Sequence, residues 1–326
     1  MSPRGVPAPG FVGRLGPVLD ERRAVEFHTL ESVNLMNRLT GPSMPFDWTV
    51  NPYRGCEVGC QYCYARPTHE YLGHAEPSEF EERIYVKRAD PERLVATLRR
   101  ARAAGQEIAI GTATDPYQPA EGRFRVSEGV LRAMLRVPGL RVGITTKSAA
   151  ITRDLPLLAE LAAGSALTVN MSLISLDRDL LRLVEPRAPR PDLRLRAIER
   201  LSAAGIRTRL FVMPILPLLT DAEPALRDLL AAAARAGAGQ TIWNVLFLRG
   251  ATRPFFMDFL RRELPWLRPR YTELYAGGSS ASAEYREAID RLMARLAREA
   301  GLGGLQREER VRQEGPTGPR QLSLAW

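Results

Sequence analysis

Residues 51–67 read NPYRGCEVGCQYCYARP. All three cysteines of the 326-residue chain, Cys56, Cys60 and Cys63, fall inside this stretch with the spacing C-x3-C-x2-C. An odd number of thiols cannot all pair within one molecule, and so dense a cluster is not a disulfide framework. Clustered thiols in a reducing compartment bind metal or do redox chemistry. Three thiolates on one tight loop can hold three irons of a cubane and leave the fourth without a protein ligand. Cubanes usually take four cysteines, so an exogenous ligand is required if a cubane is present; the amino and carboxylate groups of an amino acid can chelate the open iron. The competing reading is a zinc site completed by His69 or His74, although common zinc knuckles place C-x2-C pairs far apart.

On the N-terminal side of this loop, Phe46 to Val50 reads as a first strand. After the loop, apolar runs alternate with helical stretches. Asp90-Pro91 starts a helix, because Asp caps the free amides and Pro suits the first turn, and Gly105 stops it. Further strands are read at Ile108–Gly111, Arg141–Thr145, Leu167–Ile174, Thr208–Met213 and Thr241–Leu248, with helices at Ser127–Arg136, Leu155–Ala163, Pro191–Ala204 and Pro224–Ala236 between them. Such alternation argues for parallel strands with crossover helices. Periodicity alone does not choose between an open doubly wound sheet and a curved partial barrel. In both, loops after the strand C-termini carry the chemistry. Two more helical stretches, near Pro254–Leu264 and Ala283–Ala300, precede a polar tail. Residues 1–44 are rich in Pro, Gly and Arg and read as irregular, with a short helix around Glu21–Asn34. The expected partition is an irregular segment at 1–44, a barrel at 45–265, and a helical extension with a flexible tail at 266–326.

The chain is 45% hydrophobic and 25% charged, ordinary for a globular protein. No apolar run approaches the ~20 residues that a membrane helix needs, and the N-terminus lacks the apolar core of a secretory signal. A cytoplasmic location with no membrane partner is expected. Net charge is +9, and of 46 basic residues only Lys87 and Lys147 are lysines. A basic excess favours a polyanionic partner such as nucleic acid. A genome biased toward Arg codons is the plain reading of this imbalance; it makes the two lysines candidates for places that need a compact ammonium rather than a planar guanidinium.

The motif C-x3-C-x-aromatic-C after a first strand, with Tyr62 as the aromatic, resembles the radical S-adenosylmethionine (SAM) superfamily. GCEVGCQYCYARPTHEYLG at 55–73, GTATDPYQPAE at 111–121, ITTKS at 144–148, MSLISLD at 171–177 and Glu185-Pro186 are similar to the DNA-repair-photolyase-like branch, akin to spore photoproduct lyase. The resemblance covers roughly residues 45–250. It implies an α/β fold, a partial (β/α)6 barrel, with a [4Fe-4S] cluster on Cys56, Cys60 and Cys63. It also implies an enzyme that cleaves SAM reductively to a 5′-deoxyadenosyl radical, fed by an electron donor such as a flavodoxin or ferredoxin. The cofactor carries the hard chemistry while the protein orients it and excludes water.

By position in that pattern, Tyr62, Thr112, Thr114, Asp115, Lys147 and Ser172 are expected to hold SAM. The Gly111–Asp115 loop takes its amino group, in place of the family's usual Gly-Gly-Glu. Lys147 pairs its carboxylate, and Ser172 reaches the ribose or carboxylate. The plainer alternatives are a Thr/Asp-stabilised turn, a surface lysine and a small core residue. Glu185-Pro186 reads as a turn ending a helix, and His28, His69 and His74 as surface or hydrogen-bonded residues. Spore photoproduct lyase returns hydrogen through a cysteine outside its cluster. This chain has none to spare, which leaves a tyrosine such as Tyr64, Tyr117 or Tyr85 as donor, or a different reaction.

The last six residues, Gln321-Leu322-Ser323-Leu324-Ala325-Trp326, resemble the short peptide by which bacterial proteins dock on the DNA sliding clamp; a tail packed on its own domain is the other reading. Charge, resemblance and tail together point to a DNA lesion or modified base as substrate. RNA, a peptide or a small metabolite is the alternative, as is a cluster-bearing, non-enzymatic clamp adaptor.

Overall fold

The computed structural model describes residues 13–22, 25–32, 34–39, 44–74 and 76–304, with residues 13–22 described by backbone alone. In chain order the strands are β1 (Gly13–Arg22), β2 (Val25–Ser32), β3 (Met36–Arg38), β4 (Trp48–Val50), β5 (Tyr53–Arg54), β6 (Arg83–Arg88), β7 (Glu107–Ile110), β8 (Arg141–Thr146), β9 (Ala166–Ser172), β10 (Arg207–Ile215), β11 (Gln240–Val245) and β12 (Gly303–Gly304).

Six of them, β4, β7, β8, β9, β10 and β11, lie side by side in that order and pair in parallel. Each corresponds to one of the six strands expected from the apolar runs. The helices between them begin where the sequence signals a start. Asp90 accepts a hydrogen bond from the Glu92 amide at the head of Pro91–Ala103, and Pro191 opens Pro191–Ala203. The central strand β9 buries six of its seven side chains, and Val169, Met171, Leu210, Val212 and Ile215 are wholly inaccessible. This is the expectation for parallel strands covered on both faces. Leu98, Met134, Leu158, Ile198 and Leu229 from the crossover helices complete one continuous core. The α/β partial barrel is therefore as expected. β3 adds antiparallel to β4 at one edge and β12 parallel to β11 at the other.

The N-terminal segment differs from expectation. Instead of a helix around Glu21–Asn34, the chain forms β1 and β2, paired antiparallel, and β2 pairs in parallel with β6. Residues 25–30 read VEFHTL, and Val25, Phe27 and Thr29 are buried while Glu26 and His28 are part-exposed. That is a period of two, which a helix cannot satisfy. β5 completes this second, four-stranded sheet. The sheet shelters the loop that follows β4.

Candidate active site

The cysteine loop leaves β4 at Asn51 and is held from several sides. The Cys56 amide donates to the Phe80 carbonyl (2.9 Å) and the Cys63 amide to Cys60 (3.3 Å). Gly55 has φ +80°, and a Cβ there would lie 2.6 Å from the Arg83 carbonyl oxygen and 2.8 Å from that of Phe80. Only glycine tolerates both the left-handed turn and the close backbone. Arg66, fully buried, donates to the carbonyls of Cys60 (2.9 Å) and Pro77 (2.8 Å), pairs with Glu81 (2.6 Å), and lies over the Phe255 ring at 3.9 Å. Thr252 Oγ1 donates to the Cys63 carbonyl (3.2 Å). The segment after the sixth barrel strand thus reaches back to the loop after the first.

The motif after β7 packs directly beneath. Thr114 Oγ1 donates to the Gly55 carbonyl (2.6 Å). Gln118 bridges Gly55, Thr114 and the Glu57 amide, and the Glu57 carboxylate accepts from the Ala120 amide (2.6 Å). Asn51 bonds the Thr112 hydroxyl (3.1 Å) and the Ala113 amide (2.8 Å). Asp115 accepts from the Thr146 hydroxyl (2.6 Å), the Lys147 amide (2.8 Å) and the Tyr117 amide (2.9 Å). Its carboxylate therefore binds the β7 loop to the end of β8.

Lys147 and Ser172 stand at the C-terminal ends of β8 and β9, and Lys147 Nζ donates to Ser172 Oγ (3.0 Å). The ammonium lies 5.7 Å from the centre of the Tyr62 ring and 3.8 Å from Glu185 Oε1. Tyr62 donates its hydroxyl to Glu185, which also pairs with the buried Arg194. Burial alone would lower the Lys147 pKa, but Cys60 and Glu185 outweigh it and raise it. Burial would likewise raise Glu185, but Arg194 and Lys147 hold its carboxyl below the usual carboxylate range.

The thiols feel one another. Burial, then Asp115, then Cys60 and Cys63 push Cys56 well above the ordinary thiol value. Burial pushes Cys60 up to about 12, with Lys147 opposing. Buried thiols such as Cys56 and Cys60 become thiolates only against strong positive charge, which iron would supply in displacing their protons. Among the described residues, no three His, Cys, Asp or Glu side chains form a single-ion site. A tetrahedral zinc, with Zn–S near 2.3 Å, requires its ligands tightly gathered, whereas each thiolate of a cubane takes a different iron. The histidines of the zinc reading are engaged elsewhere. His69 Nε2 bonds the Arg83 carbonyl (2.9 Å), and His74 bonds Tyr85 and Glu79. The donor set fits the cluster and the family's sulfonium cofactor.

The fold gathers the three cysteines, Tyr62, Tyr64, Thr112, Thr114, Asp115, Lys147 and Ser172 at the strand C-termini. Tyr64 is 64% exposed, with its hydroxyl on the Thr112 carbonyl. Tyr117 lies apart: it is buried, 5.9 Å from Arg153, and Asp154 adds to the effect of burial in raising its pKa. Tyr85 sits on β6, stacked on His28. Sequence reading missed Asn51, Glu57, Gln118 and Arg194. Asn51 flanks the cysteine motif and Gln118 lies inside the quoted GTATDPYQPAE, so their positions carried a signal; Arg194 carried none.

An α/β partial barrel with three coupled thiols at its mouth, and a lysine beside them, defines a class of protein. Residues 50–230 match the family model of the Radical SAM superfamily. An uncharacterized protein of Mycobacterium tuberculosis is 39% identical over 323 residues, covering 98% of this chain and 91% of that one. One from Methanocaldococcus jannaschii is 27% identical over 176 residues, covering 54% of this chain and 63% of that protein. Among solved structures, spore photoproduct lyase complexed with dinucleoside spore photoproduct superposes with a TM-score of 0.63 at 16% identity, covering 85% of this chain and 80% of that one. The chain belongs to the radical SAM superfamily. It is a radical SAM enzyme, and its cofactors are a [4Fe-4S] cluster and S-adenosylmethionine.

Proposed function

We propose that Cys56, Cys60 and Cys63 hold the cluster and that the radical made there is directed at a nucleic-acid base, as a DNA lesion or modified base. When bound, the cluster and SAM supply a 5′-deoxyadenosyl radical by reductive cleavage of a carbon–sulfur bond. In this reading Lys147 and Ser172 hold the amino acid part of SAM by its carboxylate, and the Thr112–Asp115 loop faces its amino group. Arg66, Gln118 and Glu57 keep the cysteine loop rigid, and the surrounding apolar core excludes water.

The observation that carries the nucleic-acid reading is Tyr64. It directly follows the third cysteine, is largely exposed, and its hydroxyl reaches the Thr112 carbonyl on the loop after β7. Phe247, also exposed, and Arg249 lie on the loop after β11, whose next residues touch the cysteine loop: Thr252 bonds Cys63, and Gly250 lies against Pro67. Exposed aromatic rings beside arginine stack bases, and the net charge of +9 suits a phosphate backbone. Spore photoproduct lyase, whose fold this chain shares, has been captured with a dinucleoside photoproduct, which supports the same substrate class. Tyr64 is also the tyrosine best placed to return a hydrogen atom to a substrate radical, since Tyr117 is buried beside Arg153. A flavodoxin- or ferredoxin-type donor would reduce the cluster. Residues 321–326, the proposed clamp-docking peptide, lie outside the described residues.

Anaerobic turnover of cluster-loaded protein with lesion-bearing oligonucleotides tests the reading. Deuterium transfer from a labelled base into 5′-deoxyadenosine supports it. Cofactor cleavage that ignores every DNA or RNA oligonucleotide would move the substrate to peptides or metabolites.

A further inference from the structure

Four side chains distant in sequence meet beside Cys60: Tyr62, Lys147, Glu185 and Arg194. Glu185 is the centre. Its side chain is completely buried. One oxygen accepts from the Tyr62 hydroxyl and lies 3.8 Å from Lys147 Nζ; the other accepts from Arg194. Arg194 is fixed in turn, donating to the carbonyls of Ser172 (3.0 Å) and Pro189 (2.7 Å). Ending the helix Arg178–Val184 does not need this carboxylate, because the Glu185 amide closes the helix on the Leu181 carbonyl (2.7 Å). The flanking backbone is itself bonded to the cysteine loop, through Gln61 to Val184 (2.9 Å) and Arg187 to Val58 (3.2 Å). A wholly buried carboxylate that is not needed as a cap, and is set against the cysteine loop, calls for another role.

We propose that Glu185 is a positioning residue that, together with Lys147, sets the reduction potential of the cluster from the Cys60 side. It fixes the Lys147 ammonium and the Tyr62 ring against Cys60 and offsets part of the cationic field there. The inference rests on the reading of Cys60 as a cluster ligand. Cluster potentials respond to net charge, hydrogen bonding and exposure around the sulfurs. The charges are unevenly placed: Lys147, Glu185 and Arg194 act on Cys60, whereas Asp115 is the charged side chain with the largest effect on Cys56. Two cations against one carboxylate leave the Cys60 side net positive, which favours the reduced cluster. Removing Glu185 increases that excess and removing Lys147 diminishes it.

The test is a redox titration of the loaded cluster followed by electron paramagnetic resonance, without SAM, so that cofactor binding does not enter. Glu185→Gln keeps the shape, and its amide oxygen can still accept from Arg194 while its NH2 turns to the Tyr62 oxygen; it is expected to shift the midpoint to more positive potential. Lys147→Gln, at a part-exposed strand end, is expected to shift it to more negative potential. Opposite signs are the signature, since a merely structural role would not produce them. Unmoved midpoints, or shifts of the same sign, would overturn the inference. If Glu185→Gln does not fold, Lys147→Gln decides alone: a midpoint equal to the parent's overturns it. Iron and sulfide analysis separates the two levels. Failure to load a cluster in the parent protein would sink the three-cysteine reading and this inference with it, whereas a loaded cluster with unmoved midpoints sinks this inference alone.

Discussion

The chemistry of single side chains here depends on burial. Cys56, Cys60 and Cys63 are expected to be individually indispensable: replacing any one with alanine should abolish the cluster absorbance and reduce 5′-deoxyadenosine formation to background. Gly55 is a sharper test of local geometry. At φ +80°, with a carbonyl 2.6 Å from the would-be Cβ, Gly55→Ala should cost more than about 1 kcal/mol, read as a lower midpoint in denaturant. His69 gives a pH signature. Burial holds its pKa down at about 3 against an ordinary value of 6.5. Between those values the unfolded chain binds a proton that the folded chain does not, so stability falls as pH drops through this window. The slope from one such group is at most about 1.4 kcal/mol per pH unit, and His69→Gln should flatten it in pH-dependent unfolding. At this level the sequence was legible where spacing alone speaks, as with the cysteines, and where position after a strand speaks, as with Lys147 and Ser172. Glu185 was read only as a turn, because its partner Arg194 comes from another helix and no local pattern announces the pair.

Among the elements, the six parallel strands were readable because apolar runs of buried-strand length are bounded by Gly, Pro and Asp. The four-stranded sheet was not. β2 pairs with β6 across more than fifty residues, and short alternating segments with charged residues between them are ambiguous until a partner is known. Arg66 ties the elements around the site together, joining the cysteine loop, the turn of helix at Glu79–Glu82 and the helix Thr252–Glu263. Arg66→Met should take away the close partner of Glu81, leaving it Arg187 at 3.7 Å, and strip the Cys60 and Pro77 carbonyls of their donor, at a cost of about 3 kcal/mol. A thermal scan would register this, and a chelator should strip the iron faster than from the parent.

Taken as one body, the chain combines a continuous apolar core with a net charge of +9. None of the helices described is long and apolar enough to cross a membrane. If the mouth holds a nucleic acid, affinity must follow counterion release. Three phosphate contacts would weaken binding about 40-fold between roughly 50 and 200 mM salt; a salt-independent affinity would remove DNA as partner. Tyr64→Ala should weaken binding by about 1–3 kcal/mol through lost stacking, whereas Tyr64→Phe should bind normally and lose only hydrogen return. Deleting residues 321–326 should abolish clamp binding without touching cofactor cleavage, and unchanged clamp affinity would exclude the tail.

The proposed three-cysteine site would leave one iron of the cluster for SAM to bind. Reconstituted protein, reduced under anaerobic conditions and given SAM, should show a cluster resonance that changes on SAM addition, followed by 5′-deoxyadenosine and methionine in equal amounts. A resonance indifferent to SAM, with no 5′-deoxyadenosine formed, would contradict the account.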